Sequence, residues 1–80
     1  MKVVINISLK DGVLDPEGQA IETSLSNLGF NDFQNVRIGK QIVIELNCNT
    51  EAEAREEATK MCEKLLANLV IEDYDIVIEA

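Results

Sequence analysis

Hydrophobic residues recur with a period of two in four stretches and with a period near 3.6 in two others, in the order β-α-β-β-α-β along the chain. That order, with a helix-start signal after the first and third strands, predicts an α+β domain. Two helices should lie on one face of a four-stranded antiparallel sheet, a ferredoxin-like two-layer sandwich, because right-handed crossovers put both helices on the same side. Eighty residues with 46% hydrophobic content suit one such domain, residues 1–80, and leave no material for a second core.

In the first strand, Lys2 to Lys10, Val3, Ile5, Ile7 and Leu9 share one face and Val4, Asn6, Ser8 and Lys10 the other. The turn that follows organises the chain. Gly12 takes positive φ without strain, Asp15 has the short oxygen acceptor wanted at a helix N-cap, and Pro16 suits the first helical position. From Pro16 to about Leu28, Ile21, Leu25 and Leu28 form an apolar stripe expected to face the core, and Gly29 provides a left-handed stop. Phe30 and Phe33 follow, read as core residues. Val36-Arg37-Ile38 reads as a short strand, Gly39-Lys40 as a turn, and Gln41 to Asn47 as the third strand of a hairpin, with Ile42, Ile44 and Leu46 on one face.

Thr50-Glu51-Ala52-Glu53 matches a capping box, in which the threonine hydroxyl and the glutamate each satisfy an orphan amide. The helix it opens is expected to run from Glu51 to Leu69, roughly 28 Å, with Ala54, Ala58, Met61, Cys62, Leu65 and Leu69 on its buried stripe. Tyr74, Ile76 and Ile78 then alternate with Asp75, Val77 and Glu79 in the closing strand. The outer face of the sheet carries Val4, Val43 and Val77, an apolar patch suited to a partner sheet or a second copy.

Fifteen acidic and seven basic residues give a formal net charge of −8, which repels phosphate backbones, so nucleic acid is not an expected partner. No stretch is long and apolar enough for a membrane helix, no signal segment precedes the first strand, and a cytoplasmic protein is expected. Cys48 and Cys62 stand in no metal-binding or redox spacing and read as reduced residues. With no histidine in the chain, Ser-His and Cys-His nucleophiles and His-ligated metals are excluded. A phosphate loop ending at Gly39-Lys40 fails because Gln34 stands where its first glycine is needed and Gln41 where its Ser or Thr is needed. No catalytic, cofactor or metal residue is expected. The carboxylates near the first turn serve the helix cap and dipole, and Glu51, Glu53, Glu56 and Glu57 solvate a helix face.

Gly12-Val13-Leu14-Asp15-Pro16-Glu17-Gly18, Leu28-Gly29-Phe30, Val36-Arg37-Ile38-Gly39-Lys40, Met61-Cys62-Glu63-Lys64-Leu65-Leu66-Ala67-Asn68 and Val70-Ile71-Glu72-Asp73-Tyr74 together resemble the PurS family. These are small subunits of the multisubunit phosphoribosylformylglycinamidine synthase of purine biosynthesis. The resemblance runs through nearly the whole chain. One departure is Leu69, where the family commonly has proline, which bears on how abruptly the second helix ends.

The resemblance implies a subunit without an active site that pairs as a homodimer or dimer of dimers. It would join a large ATP-dependent amidoligase subunit to a glutaminase subunit, supporting ammonia transfer in the conversion of formylglycinamide ribonucleotide. ATP and Mg would belong to the large subunit. Lys10, Gly12, Asp15, Arg37 and Lys40 are then candidates for the partner interface, and Val4, Val43, Tyr74 and Val77 for the homodimer. The alternative from another class is a dimeric ACT-like regulatory module that binds a small molecule near Asp11-Gly12, which rests on fold analogy.

Overall fold

Alternation in the first strand buries Val3, Ile5 and Ile7 under a helix, while on the other face Ser8 is exposed and Val4 is buried between its neighbouring strands. In the computed structural model, which describes residues 1–79, this strand is β1 (Lys2–Leu9). It is followed by α1 (Pro16–Asn27), β2 (Gly39–Glu45), α2 (Glu51–Met61), a π-helical turn (Cys62–Leu66) and β3 (Glu72–Glu79). Among the described residues the sheet has three strands in the order β2-β1-β3, antiparallel throughout. Ile5 stands opposite Ile42 and Ile76 on the covered face, and Val4 stands opposite Val43 and Val77 on the other.

Both helices start where their signals place them. Asp15 is extended and its Oδ1 accepts the Gly18 amide at 2.8 Å, an interaction worth about 1 kcal/mol at an N-cap. Thr50 Oγ1 accepts the Glu53 amide at 3.2 Å, but the Glu53 carboxylate accepts from Asn49 at 3.4 Å, not from the cap residue itself. At the other end of α1, Gly29 has φ +99°, and the amides of Gly29 and Phe30 donate to the carbonyls of Ser26 and Leu25. This is the Schellman closure that a glycine after the last turn allows.

The expected fourth strand, Val36 to Ile38, is irregular, and Gly39-Lys40 opens β2 instead of turning a hairpin. The donors of this segment go elsewhere. The Val36 amide donates to Glu22 Oε1 at 3.2 Å and the Ile38 amide to Asp15 Oδ2 at 2.8 Å, while Asn35 has φ +54°. A chain that hydrogen-bonds to the start of a helix cannot also supply a sheet ladder.

The second helix is also shorter than its stripe suggested. Ala67 is extended, and its amide donates to the carbonyl of Cys62, closing a wide turn five residues back. Asn68 then stops the helix although Leu69 is not proline: its side chain accepts the Val70 amide, its carbonyl accepts the Ile71 and Glu72 amides, and its own amide donates to Glu72 Oε1. The extra residue in the wide turn rotates Leu65 to the surface, where it is 83% exposed, and Leu66 takes the place against the core.

Among the described residues α2 and the π-helical turn after it cover the sheet, lying across β1 and β3 with Ala54, Ala58 and Cys62 against Val3, Ile5 and Ile7. The two small alanines let the helix sit close. Of α1 only Gly18 is buried, Leu25 is half-buried, and Ile21 (39%) and Leu28 (74%) are exposed, so the stripe expected to face the core is largely uncovered. Phe30 is exposed as well. The molecule measures 50 × 26 × 14 Å. An eight-residue strand spans only about 26 Å, so α1 and the returning segment extend beyond the end of the sheet.

Candidate functional site

The turn between β1 and α1 is held from three sides. The Lys10 amide donates to Ile71 and the Val13 amide to Lys10, with Gly12 at φ +84° between them. The Arg37 guanidinium donates to the carbonyls of Val13 at 2.8 Å and Lys10 at 3.2 Å. Asp15 is buried, and the amides of Ile38 first and Gly18 second, with Arg37 nearby, hold its carboxyl below the usual carboxylate range although burial opposes this. Gly18 is required here: a Cβ on it would collide with the carbonyl oxygen of Val36.

Lys10, Gly12, Asp15 and Arg37 are therefore brought together at one end of the sheet. Lys40 lies close to them in β2 but on the helix side, opposite Ile7, with its Nζ 3.9 Å from Glu72. Lys10 reaches Asp73 at 3.0 Å on the outer side. Both pairs are exposed to solvent on at least one partner, where such contacts contribute little. Asp15 and Arg37 build the turn, and Lys10, Gly12 and Lys40 present its surface.

The second candidate surface is the outer face of the sheet. Val4, Val43 and Val77 form one row across all three strands, with Val43 51% and Val77 43% exposed and Val4 shielded between them. Beside this row Gln41 donates to Asn6 at 3.0 Å and Asn6 donates to Asp75 at 3.2 Å, a polar ladder in the same register. On the other side Lys2 pairs with Glu79 at 3.4 Å. An apolar line between two polar ones has the composition of a small interface core and rim. Tyr74 is not part of it. Paired with Ile7, it lies on the helix face, where burial, Glu63 and Cys62 push its phenol above the usual value.

A third surface was not evident from the sequence. Ile44 of β2, Met61, Leu65 and Leu66 line an apolar groove beside α2, edged by Glu57, Lys60 and Lys64. Reading Leu65 as core hid it, because a continuous 3.6-residue period does not anticipate the wide turn at Cys62. Cys62 itself is buried, and burial first and Glu63 second push its thiol up, leaving it protonated at neutral pH.

The family model for PurS, phosphoribosylformylglycinamidine (FGAM) synthase, matches residues 2–80. The chain is 46% identical over 78 residues to the FGAM synthase subunit PurS of Methanocaldococcus jannaschii, covering 98% of this chain and 94% of that protein. It is 42% identical over 78 residues to the PurS subunit of Bacillus subtilis, covering 98% and 92%. Among solved structures, M. jannaschii PurS superposes with a TM-score of 0.88 at 47% identity, covering 98% of this chain and 94% of that one. A chain of the PurLQS complex from Thermotoga maritima superposes with a TM-score of 0.87 at 33% identity, covering 95% and 93%. A match that spans the chain in both sequence and backbone identifies it as a member of the PurS family.

Proposed function

We propose that the chain is the small, non-catalytic subunit of FGAM synthase in purine biosynthesis, which holds an ATP-dependent amidoligase subunit and a glutaminase subunit in fixed relation. Ammonia released in one active site must reach the other before it is lost, and a subunit that fixes their separation and orientation serves catalysis by positioning. The observation that carries this reading is the register-aligned valine row on an uncovered sheet face, in a chain that matches one of the PurLQS complex over 95% of its length. A histidine-free chain whose carboxylates are taken up by caps and solvent agrees with a role in assembly. ATP and Mg belong, in this reading, to the amidoligase, and the setting is the cytoplasm.

The valine row pairs with a second copy, and the turn around Lys10, Gly12 and Lys40 faces the large subunit, with Asp15 and Arg37 holding it in shape. Lys10→Glu combined with Lys40→Glu tests the second contact. The expected result is loss of the three-subunit complex in a mass measurement, with the far-UV spectrum and melting of the isolated chain little changed. Recovery of the complex at wild-type yield would refute the assignment of that surface.

A further inference from the structure

The two edges of the sheet are not alike. The Met1 amine donates to the carbonyl of Leu46 and the Leu46 amide to that of Met1, both at 2.8 Å, so these residues form a hydrogen-bonded pair. Alternation from there makes Val3 with Ile44, Ile5 with Ile42 and Ile7 with Lys40 the bonded pairs, and it turns the amides and carbonyls of Gln41, Val43 and Glu45 away from β1. These six groups have no hydrogen-bond partner among the described residues. On the far side of the sheet the same alternation leaves Tyr74, Ile76 and Ile78 facing outward from β3. There α2 leans over the strand, and Arg55 Nη1 donates to the Ile76 carbonyl at 3.2 Å while its Nη2 lies 3.7 Å from Glu51. β2 has none of the usual edge protection. It carries no proline, its seven pairs run without a bulge, and its one lysine stands near its start. Ile42 and Ile44 beside this edge are only half-buried.

We infer that the open edge of β2 receives an extended segment of the large subunit, added as a fourth strand with apolar residues over Ile42 and Ile44 and a basic residue beside Glu45. The inference rests on the assembly role proposed above and names a contact that carries it out. Two observations favour this occupant. β2 runs directly out of Gly39-Lys40, beside the turn assigned to the large subunit, so its edge continues that surface. Charge is the second. Glu45 makes no ion pair among the described residues, because Lys2 opposite it reaches Glu79 instead. Beyond Glu45 the chain passes Glu53, Glu56 and Glu57 of α2. Lys60 lies 3.6 Å from Glu56 and 3.8 Å from Glu57 and offsets only part of this charge. This end of the edge is therefore acidic in a chain of net charge −8, which attracts a basic strand and opposes a second copy of itself. In such strand addition the main-chain hydrogen bonds supply affinity and the alternate side chains specificity. The valine row projects from the outer face of the sheet, so pairing there and strand addition at the edge do not compete.

The test uses the full chain with the purified amidoligase subunit. Residue-resolved amide exchange is compared between the free chain and the complex, and binding is measured for Gln41→Pro and Gln41→Ala. The proline removes an outward amide and leaves the ladder to β1 intact, whereas the alanine removes only the side-chain contact to Asn6. The expected results are fast exchange at Gln41, Val43 and Glu45 in the free chain and slow exchange in the complex, with Tyr74, Ile76 and Ile78 unchanged. Gln41→Pro should raise the dissociation constant roughly tenfold or more, the loss of at least one main-chain hydrogen bond, while Gln41→Ala binds like wild type. A complex that forms without protecting the β2 amides, or that protects those of β3 instead, overturns the edge assignment and leaves the assembly role standing. Protection of the β2 amides that already rises with concentration in the free chain overturns it too, because a second copy then covers the edge. A wild-type chain that does not bind the amidoligase overturns both.

Discussion

Asp15 and Ile38, 23 residues apart in sequence, are joined by a 2.8 Å hydrogen bond from the Ile38 amide to the carboxylate that also caps α1. One side chain thus starts a helix and fixes the segment that returns from it.

Asp15→Ala should lower the melting temperature by roughly 5–10 °C, since it removes a cap and a long-range anchor together. The same carboxylate sets a pH dependence. Its pKa is lowered on folding, so the unfolded chain takes up its proton first as the pH falls. The stabilisation is therefore complete above about pH 5 and is lost as the pH drops below about 4 and through the folded value. Denaturant unfolding between about pH 3 and 6 should show this slope in the wild type and a shallower one in Asp15→Asn.

Gly18→Ala is expected to destabilise the chain although alanine is the better helix former. The helix gains about 1 kcal/mol from propensity, but the new methyl meets the backbone oxygen of Val36, which cannot rotate away, and overpacking costs about 1–3 kcal/mol. Urea unfolding of the two proteins checks the sign. A more stable variant would mean that α1 and Val36 do not pack as described.

The two thiols should differ in reactivity. Cys62 is buried and protonated, while Cys48 is half-buried beyond the end of β2. An aromatic disulfide reagent should modify one thiol per native chain and two after unfolding, and mass mapping should place the native modification on Cys48.

Val43→Asp should halve the mass of the associated protein in solution and change the stability of the isolated fold by no more than about 0.5 kcal/mol, because Val43 is exposed. Ile5→Ala, directly beneath α2, should cost about 2–5 kcal/mol instead. The contrast separates an exposed residue from a core residue in strands with the same pattern.

What could be read from the sequence was local or periodic. The cap at Asp15, the stop at Gly29, the cap at Thr50 and the alternation of β1 between its two faces each depend on residues within a turn of one another. The valine row followed from the same alternation once the strands were placed in register. From the sequence Arg37 is a candidate for the partner interface, because nothing in its neighbourhood shows that its donors reach Val13 and Lys10, at separations of 24 and 27 residues. Leu65 was misplaced by a single wide turn, which shifts every later residue off the 3.6-residue period. The stripe of α1 is apolar, but amphipathicity identifies a face that needs covering and does not place it on this sheet, and Ile21 and Leu28 are exposed.

The central claim, that this chain acts by positioning two other subunits and not by chemistry of its own, is tested by reconstitution from separately purified subunits. Glutamine-dependent formation of phosphoribosylformylglycinamidine should be weak with amidoligase and glutaminase alone, rise when this chain is added in stoichiometric amount, and be undetectable with this chain by itself. Full coupled activity in its absence, or turnover by the chain alone, would contradict the account.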